Sequence, residues 1–289
     1  MLKEVTIIIP TYNRHQILVE TLPSYIGQKY LKEIILIDDT SDFPLITSAH
    51  EMLNNSRIRI ITNKERIGAY KSKLIGINAA QSDLILFGED DAFLEEYYIE
   101  KLVNFFCLNK NVGVVSGQIV YMPEKTNYKD VDPFTILKYE ELFDFKKLKF
   151  NPFARVKKIE RIPFTHALFL TQTILLKNIT KDYSYSVGNG YREETDFQIM
   201  LFCEGKENFI LPDCYCYHLN TKDVPVGGQR MNRFSKFYWT IYLNNHFLNK
   251  NYNKYKKELK LDQGLCRAKS RFFYDQFYSM FMRPLLRRF

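Results

Sequence analysis

The sequence predicts an α/β fold with a mostly parallel sheet. Three observations predict it: short continuous apolar runs rich in β-branched residues, helical periodicity between them, and polar clusters where the runs end. Val5 to Ile9 is the first run, closed by Pro10, and Ile34 to Ile37 is the second, closed by Asp38 and Asp39. Neither alternates polar with apolar residues, so both read as strands buried on two faces. Between them, His15 to Gln28 repeats Ile17, Leu18, Leu22, Tyr25 and Ile26 at helical spacing. A third run, Ile58 to Ile61, follows a second helical stretch, which gives βαβαβ. Lys71 to Ala80 then reads as a helix, Leu84 to Phe87 as a strand ending in acids, Tyr97 to Leu108 as a helix and Val112 to Val115 as a strand. Met122 to Ile162 has no clear period and reads as an insertion over the sheet. Phe164 to Leu176 resumes as an apolar strand or helix start. Thr195 to Glu204 is an amphipathic helix stopped by Gly205, and Phe209 to Leu211 leads into Pro212.

A chain of 289 residues that is 46% hydrophobic and 26% charged can bury a sizeable core, which excludes a disordered or low-complexity class. No window of about 18 uncharged apolar residues exists, and Met1, Lys3 and Glu4 lead straight into a strand without a leader pattern. The expectation is a cytoplasmic protein. The five cysteines, Cys107, Cys203, Cys214, Cys216 and Cys266, are sparse, odd in number and not spaced as metal ligands, so they read as reduced and mostly buried.

The net charge of +8 is unevenly placed. Residues 230–289 hold 14 basic and three acidic side chains, a net +11, which leaves −3 on the rest. The same segment holds 15 aromatic residues, including Trp239. The chain therefore divides into a sheet domain, 1–229, and a basic aromatic helical extension, 230–289.

In an open parallel sheet, ligands bind at the carboxyl ends of the strands. Three such ends are polar here: Pro10, Thr11, Tyr12, Asn13 and Arg14; Asp38, Asp39, Thr40 and Ser41; and Glu89, Asp90 and Asp91. Three successive acids repel one another unless a cation or several donors neutralise them. In an extended stretch Glu89 and Asp91 face the same way and offer hard oxygen ligands suited to Mg²⁺ or Mn²⁺. The competing reading is a solvated acidic turn.

The order of these segments resembles family 2 glycosyltransferases. Val5 to Arg14 followed by Ile34 to Ser41 resembles the opening of that family, and Phe87 to Asp91 its acidic DXD element. Tyr191 to Asp196 resembles its later acidic pair opening a helix, and Cys216, Tyr217 and His218 its following strand and histidine. The resemblance covers about residues 5 to 220. It implies a GT-A fold, a nucleotide-sugar donor such as a UDP-sugar, a divalent metal and inversion by a single displacement. By the same resemblance Pro10, Thr11, Tyr12, Arg14, Asp38, Asp39, Arg66, Lys73 and Asp90 fall at the donor. Within that set, Asp39 would accept from the nucleoside base. Asp91, Glu89 and His218 would meet the metal.

Glycosyl transfer needs a neutralised leaving diphosphate and a base for the acceptor hydroxyl. Glu194 or Asp196 is the expected base, with neighbouring acids raising one carboxyl pKa; the alternative is that these acids only complement a helix dipole. The family more often has aspartate at the position of Glu194 and at that of Glu89. Where it often has an Arg-Asn pair, this chain has Lys73 and Leu74, and Lys73 is expected to face phosphate. His166 reads as a packing histidine or an acceptor contact. Gly188, Asn189 and Gly190 read as a turn before the acidic helix, and Gly227 and Gly228 as a loop that closes over the donor.

In the extension, Phe273, Phe277 and Phe281 recur every four residues, with Arg271, Asp275, Ser279 and Arg283 on another face. Pro284 ends or bends that helix, and Arg287 and Arg288 follow. It reads as a helix at an anionic membrane surface, on the inner face of the cell membrane, or as one packed on the sheet domain. The acceptor is expected to be a glycan or lipid-linked molecule in surface glycan synthesis. No nucleic-acid partner is expected, since no recognised nucleic-acid module is present. The alternatives are nucleotidyl transfer, which usually wants a glycine-rich phosphate loop that is missing after Ile9, and a non-catalytic domain that binds a nucleotide or a membrane.

Overall fold

The computed structural model describes residues 4–47, 50–224 and 231–286; Gly227, Gly228, Arg287 and Arg288 lie outside them. In chain order the strands are β1 (Val5–Thr11), β2 (Leu31–Asp38), β3 (Ile58–Thr62), β4 (Leu84–Phe87), β5 (Ala92–Leu94), β6 (Val112–Tyr121), β7 (Phe143–Asp144), β8 (Lys149–Phe150), β9 (Glu160–Arg161), β10 (Leu170–Gln172) and β11 (Glu207–His218). The helices are α1 (His15–Ile26), α2 (Gly68–Ala79), α3 (Tyr98–Leu108), α4 (Pro133–Ile136), α5 (Thr173–Asn178), α6 (Glu193–Cys203), α7 (Arg233–Leu259), α8 (Leu265–Phe277) and α9 (Arg283–Leu286).

The sheet runs β3-β2-β1-β4-β10-β6-β11-β5, with β9 also on β11. Strands β1 to β4 are parallel, as are β6 and β11. The intervening β10 is antiparallel to both β4 and β6, which gives those two the same direction. Ile7, Ile9, Ile34 and Leu36 fill one face against Leu18, Leu22 and Tyr25 of α1. Ile8, Ile35 and Ile37 fill the other against Tyr70, Leu74 and Ile77 of α2. Burial on both faces explains why the runs carry no alternation.

The structure departs from the expected elements in three places. The second helical stretch is two 3₁₀ turns, Leu45–Thr47 and Glu51–Asn54, because Asp38 pulls the chain into a tight turn by accepting from the amides of Ser41 and Leu45. The last long strand does not stop at Pro212. It continues to His218 through a register shift between Ile210 and Tyr215, with Asp213 at φ 35°, so the bulge absorbs the residue that has no N–H to give. Of the cysteines only Cys214 and Cys216 are buried, while Cys107 and Cys266 are exposed; all five are free.

Gly205, at φ +84°, ends α6 as expected. The insertion between β6 and β9 lies over the sheet, with Met122 and Leu137 packed on Val120 and Tyr217, and Val156 on Ile210. The extension is helical and shares the core of the sheet domain, with Leu243, Phe247, Tyr252 and Tyr255 in one cluster with Phe197, Ile199 and Leu201 of α6. A π-helical turn, Tyr278–Met282, precedes Pro284, where the proline leaves the helical hydrogen bonds incomplete.

Candidate active site

A cleft of about 760 Å³ opens at the carboxyl ends of β1, β2 and β4. It gathers Pro10, Thr11, Tyr12, Arg14, Asp39, Arg66, Lys73, Glu89, Asp90, Asp91, Glu194 and His218, so most of the residues singled out in the sequence share one cavity. Asp38 and Asp196 do not line it.

The acids after β4 alternate. Glu89 and Asp91 point with His218 toward one spot, their ligand atoms all within 4.8 Å of one another. Asp90 turns away and accepts from Thr11 Oγ1 at 2.7 Å and from Arg14 at 2.7 Å. Arg14 also reaches Asp91 at 2.8 Å. Burial pushes Glu89 up to about 7, with Asp91 adding to it and His218 opposing. Burial and the charge of Asp91 push Asp90 up to about 6.

His218 Nδ1 lies 2.8 Å from the carbonyl of Leu219, so that nitrogen carries the proton and Nε2 faces Asp91 at 3.3 Å and Glu89 at 4.0 Å. Burial works against its charge, yet Asp91 and Glu89 outweigh burial and raise its pKa. Two carboxylates and an imidazole whose other nitrogen is anchored to a carbonyl are a donor set that fits a divalent ion, and the imidazole favours Mn²⁺ over Mg²⁺.

On the β2 side, Asp39 organises the loop before α2. One oxygen accepts from Asn63 Nδ2 and the amide of Ile67, both at 2.9 Å, and the other from the amide of Gly68 at 2.8 Å. Gly68 sits at φ +83°, a conformation that suits glycine. A carboxylate has about four acceptor positions, so one of Asp39's is left for a ligand. Arg66 stacks over Tyr12 with its guanidinium 3.9 Å from the ring centre. Asp38 is fully buried in its turn, so its part is to shape the loop and not to touch a ligand.

On the α6 side, Lys73 lines the cleft with its charge placed between two carboxylates. Its side chain is 7% exposed, and its ammonium donates to Glu193 at 2.7 Å and to Glu194. Both glutamates line the cleft, but the side chain of Glu193 is 5% exposed and that of Glu194 22%, so Glu194 opens further into it. The raised pKa expected at Glu194 falls on Glu193, which burial and the neighbouring charge push up to about 8. For Glu194 burial acts upward too, but Lys73 and the hydrogen bond with Glu193 outweigh it and hold the carboxyl below its usual value.

Asp196 faces the extension instead. It accepts from Lys250 at 2.6 Å, Asn251 at 2.7 Å and Tyr185 at 3.3 Å. Asp196→Ala is expected to cost about 1–3 kcal/mol in urea unfolding, with transfer per folded molecule kept. A loss of transfer without a loss of stability would return Asp196 to the role of base.

His166 is a packing residue, its Nε2 2.9 Å from the carbonyl of Gly117 and its pKa lowered by burial to about 4. Sequence reasoning missed Glu193 as the second partner of Lys73. It also missed Arg192, which takes φ 76° and spends its guanidinium on Asn244 and the carbonyl of Leu148. An arginine just before an acidic pair was the available signal. Trp239 was missed as well: it fills the space above Gly188, where a Cβ would lie 2.4 Å from the indole.

A mostly parallel sheet that collects acids from several strand ends in one cleft is the arrangement of the GT-A fold. The family model for glycosyl transferase family 2 matches residues 6–170, and the chain belongs to that family and is a glycosyltransferase. It is similar to glycosyltransferase GlyG of Streptococcus pneumoniae, at 25% identity over 226 residues, covering 76% of this chain and 72% of the relative. An uncharacterized glycosyltransferase of Haemophilus influenzae is 26% identical over 197 residues, covering 63% of this chain and 75% of the relative. Among solved structures, S. aureus TarS 1–349 in complex with UDP shares the fold at a TM-score of 0.60 and 16% identity, covering 96% of this chain and 72% of that one. GalNAc-T7 with UDP, GalNAc and Mn²⁺ does so at 0.59 and 16%, covering 76% and 44%.

Proposed function

We propose that the chain transfers a sugar from a UDP-sugar to a hydroxyl of a glycan or lipid-linked acceptor, with inversion, and that it depends on a divalent cation, Mn²⁺ before Mg²⁺. One observation carries the reading: the triad of Glu89, Asp91 and His218 opens into the same cleft as Asp39 and Glu194. Asp39 and the Tyr12–Arg66 stack hold the nucleoside side of the donor. Glu89, Asp91 and His218 hold the cation, which when bound neutralises charge on the diphosphate leaving group. Arg14 and Thr11 fix Asp90 and steady the loop that carries these ligands.

Glu194 is the base. In a single displacement the acceptor oxygen forms a bond to the anomeric carbon, the bond to the diphosphate oxygen breaks with its electron pair, and the acceptor proton passes to a carboxylate oxygen of Glu194. A carboxyl kept ionised by Lys73 is in the right state to take it. The bound UDP and UDP-GlcNAc in the TarS structures support a uridine donor, and the Mn²⁺ with GalNAc-T7 supports the ion.

Thermal unfolding with UDP, with Mn²⁺ and with both tests this. The expected result is a shift with both that exceeds the sum of the separate shifts, because ligand and ion bind the folded chain together. Asp91→Asn should weaken the Mn²⁺-dependent part by about tenfold or more in apparent affinity. An unchanged melting temperature under every combination would overturn the donor assignment.

A further inference from the structure

We infer that the first half of α7 and the second half of α8 form a docking face for an anionic lipid surface, placed beside the mouth of the cleft. Four aromatic side chains stand out into solvent here: Phe234 at 75% exposure, Tyr274 at 70%, Tyr238 at 59% and Tyr278 at 53%. Between the two helices Phe237 packs on Phe273, Phe277 and Phe281 with centroids 5.3–6.3 Å apart. Phe234 meets Phe281 at 5.3 Å, so the two helices present one surface. This ring cluster also explains why the helix is both packed and exposed: Phe272 is buried on its other side against Tyr191.

Charge selects the occupant. Residues 231–257, which span this half of α7, contain no Asp or Glu, and Arg233, Lys236 and Arg283 are exposed around the aromatic side chains. In α8 the one acid, Asp275, is held by Lys147 at 3.2 Å and Lys149 at 3.0 Å. Tyrosines with an apolar ring and a polar tip, rimmed by cations, suit the headgroup region of an anionic bilayer, where ring burial and charge attraction add. No helix among the described residues is long and apolar enough to cross a membrane, so this is a face for contact and not for insertion.

The position of the face gives it a use. Gly188 and Met231 line the cleft, and Trp239 packs directly on Gly188. Trp239 in turn touches Tyr238 at 5.2 Å and Tyr242 at 5.6 Å. One residue therefore separates the cleft wall from the docking face, so a chain resting on a bilayer holds its cleft mouth at the lipid headgroups. An acceptor hydroxyl carried on a lipid then meets the cleft in two dimensions. That last step rests on the glycosyl-transfer reading; the face itself does not.

Flotation of the full chain with vesicles of phosphatidylcholine alone, and of phosphatidylcholine with phosphatidylglycerol, tests the inference. Binding is expected only with phosphatidylglycerol and should weaken as salt is added. The exposed pair Phe234→Ser and Tyr274→Ser should weaken it by roughly tenfold or more. Lys256→Gln with Lys257→Gln, at the far end of α7, should leave it within about twofold. No binding to anionic vesicles, an equal loss in both double variants, or a dimer in solution that the Phe234/Tyr274 pair dissolves would each overturn it. The UDP and Mn²⁺ melting shift is measured on the same variants. If the shift is missing while flotation persists, the donor reading fails and the docking face stands.

Discussion

Glu194→Gln is expected to lower the rate of sugar transfer by about 10²–10⁴-fold, the usual contribution of a positioned base, while UDP affinity stays within about twofold. The amide keeps the shape of the side chain and can still accept from Lys73, so the structure is preserved and only the proton acceptor is removed. That loss corresponds to about 3–5 kcal/mol of barrier, more than any single donor contact in the cleft would supply. At saturating Mn²⁺, the acid limb of wild-type kcat/KM that belongs to Glu194 should lie below the ordinary carboxyl range, because Lys73 holds Glu194 ionised there. Retention of near wild-type transfer by Glu194→Gln would remove it as the base. Asp196 would not take its place, since its oxygens are engaged by Lys250, Asn251 and Tyr185.

Which parts of this site could be read from the sequence follows from how local the cause is. The apolar runs of β1, β2 and β4 are continuous because those strands are buried on both faces, and the acids that end β2 and β4 are neighbours in sequence within each cluster. Alternation along an extended stretch was enough to separate Glu89 and Asp91 from Asp90. Helical periodicity misled between β2 and β3, where the local hydrogen bonds of Asp38 override it. The partners of Lys73 are 120 and 121 residues away, so neither its spacing nor its type showed that its ammonium would meet two carboxylates. The same holds for Asp196, two of whose donors, Lys250 and Asn251, lie on α7, more than 50 residues on. A carboxylate in a helix's first turn looks the same in sequence whether it faces a cleft or a packed neighbour.

The ammonium of Lys73 between two carboxylates gives the second large effect, this one on stability. Lys73→Met is expected to lower the unfolding free energy by about 3–5 kcal/mol at neutral pH, because it leaves the ionised Glu194 buried without a counter-charge and Glu193 without its donor. The sign with pH follows from Glu193. Its folded pKa of about 8 lies above its ordinary value of 4.5, so between those limits the folded chain holds a proton that the unfolded chain has released. Stability from this group therefore falls as pH rises from about 5 to 8. Glu194, held low, acts in another window, contributing stability above its ordinary pKa that is lost only as pH falls through the lower folded value. Lys73 is raised and stays charged throughout this range, so its contribution is constant there. Urea unfolding at intervals from pH 5 to 8 separates the two carboxyls. Glu193→Gln should flatten the decline and be at least as stable as wild type at pH 8. The deficit of Lys73→Met should be largest at pH 8 and shrink toward pH 5, where protonation relieves the unpaired charge. A Lys73→Met protein with wild-type stability at pH 8 would mean that the ammonium of Lys73 gives the two carboxyls no net stabilisation. A base kept ionised by this lysine would then have no physical basis.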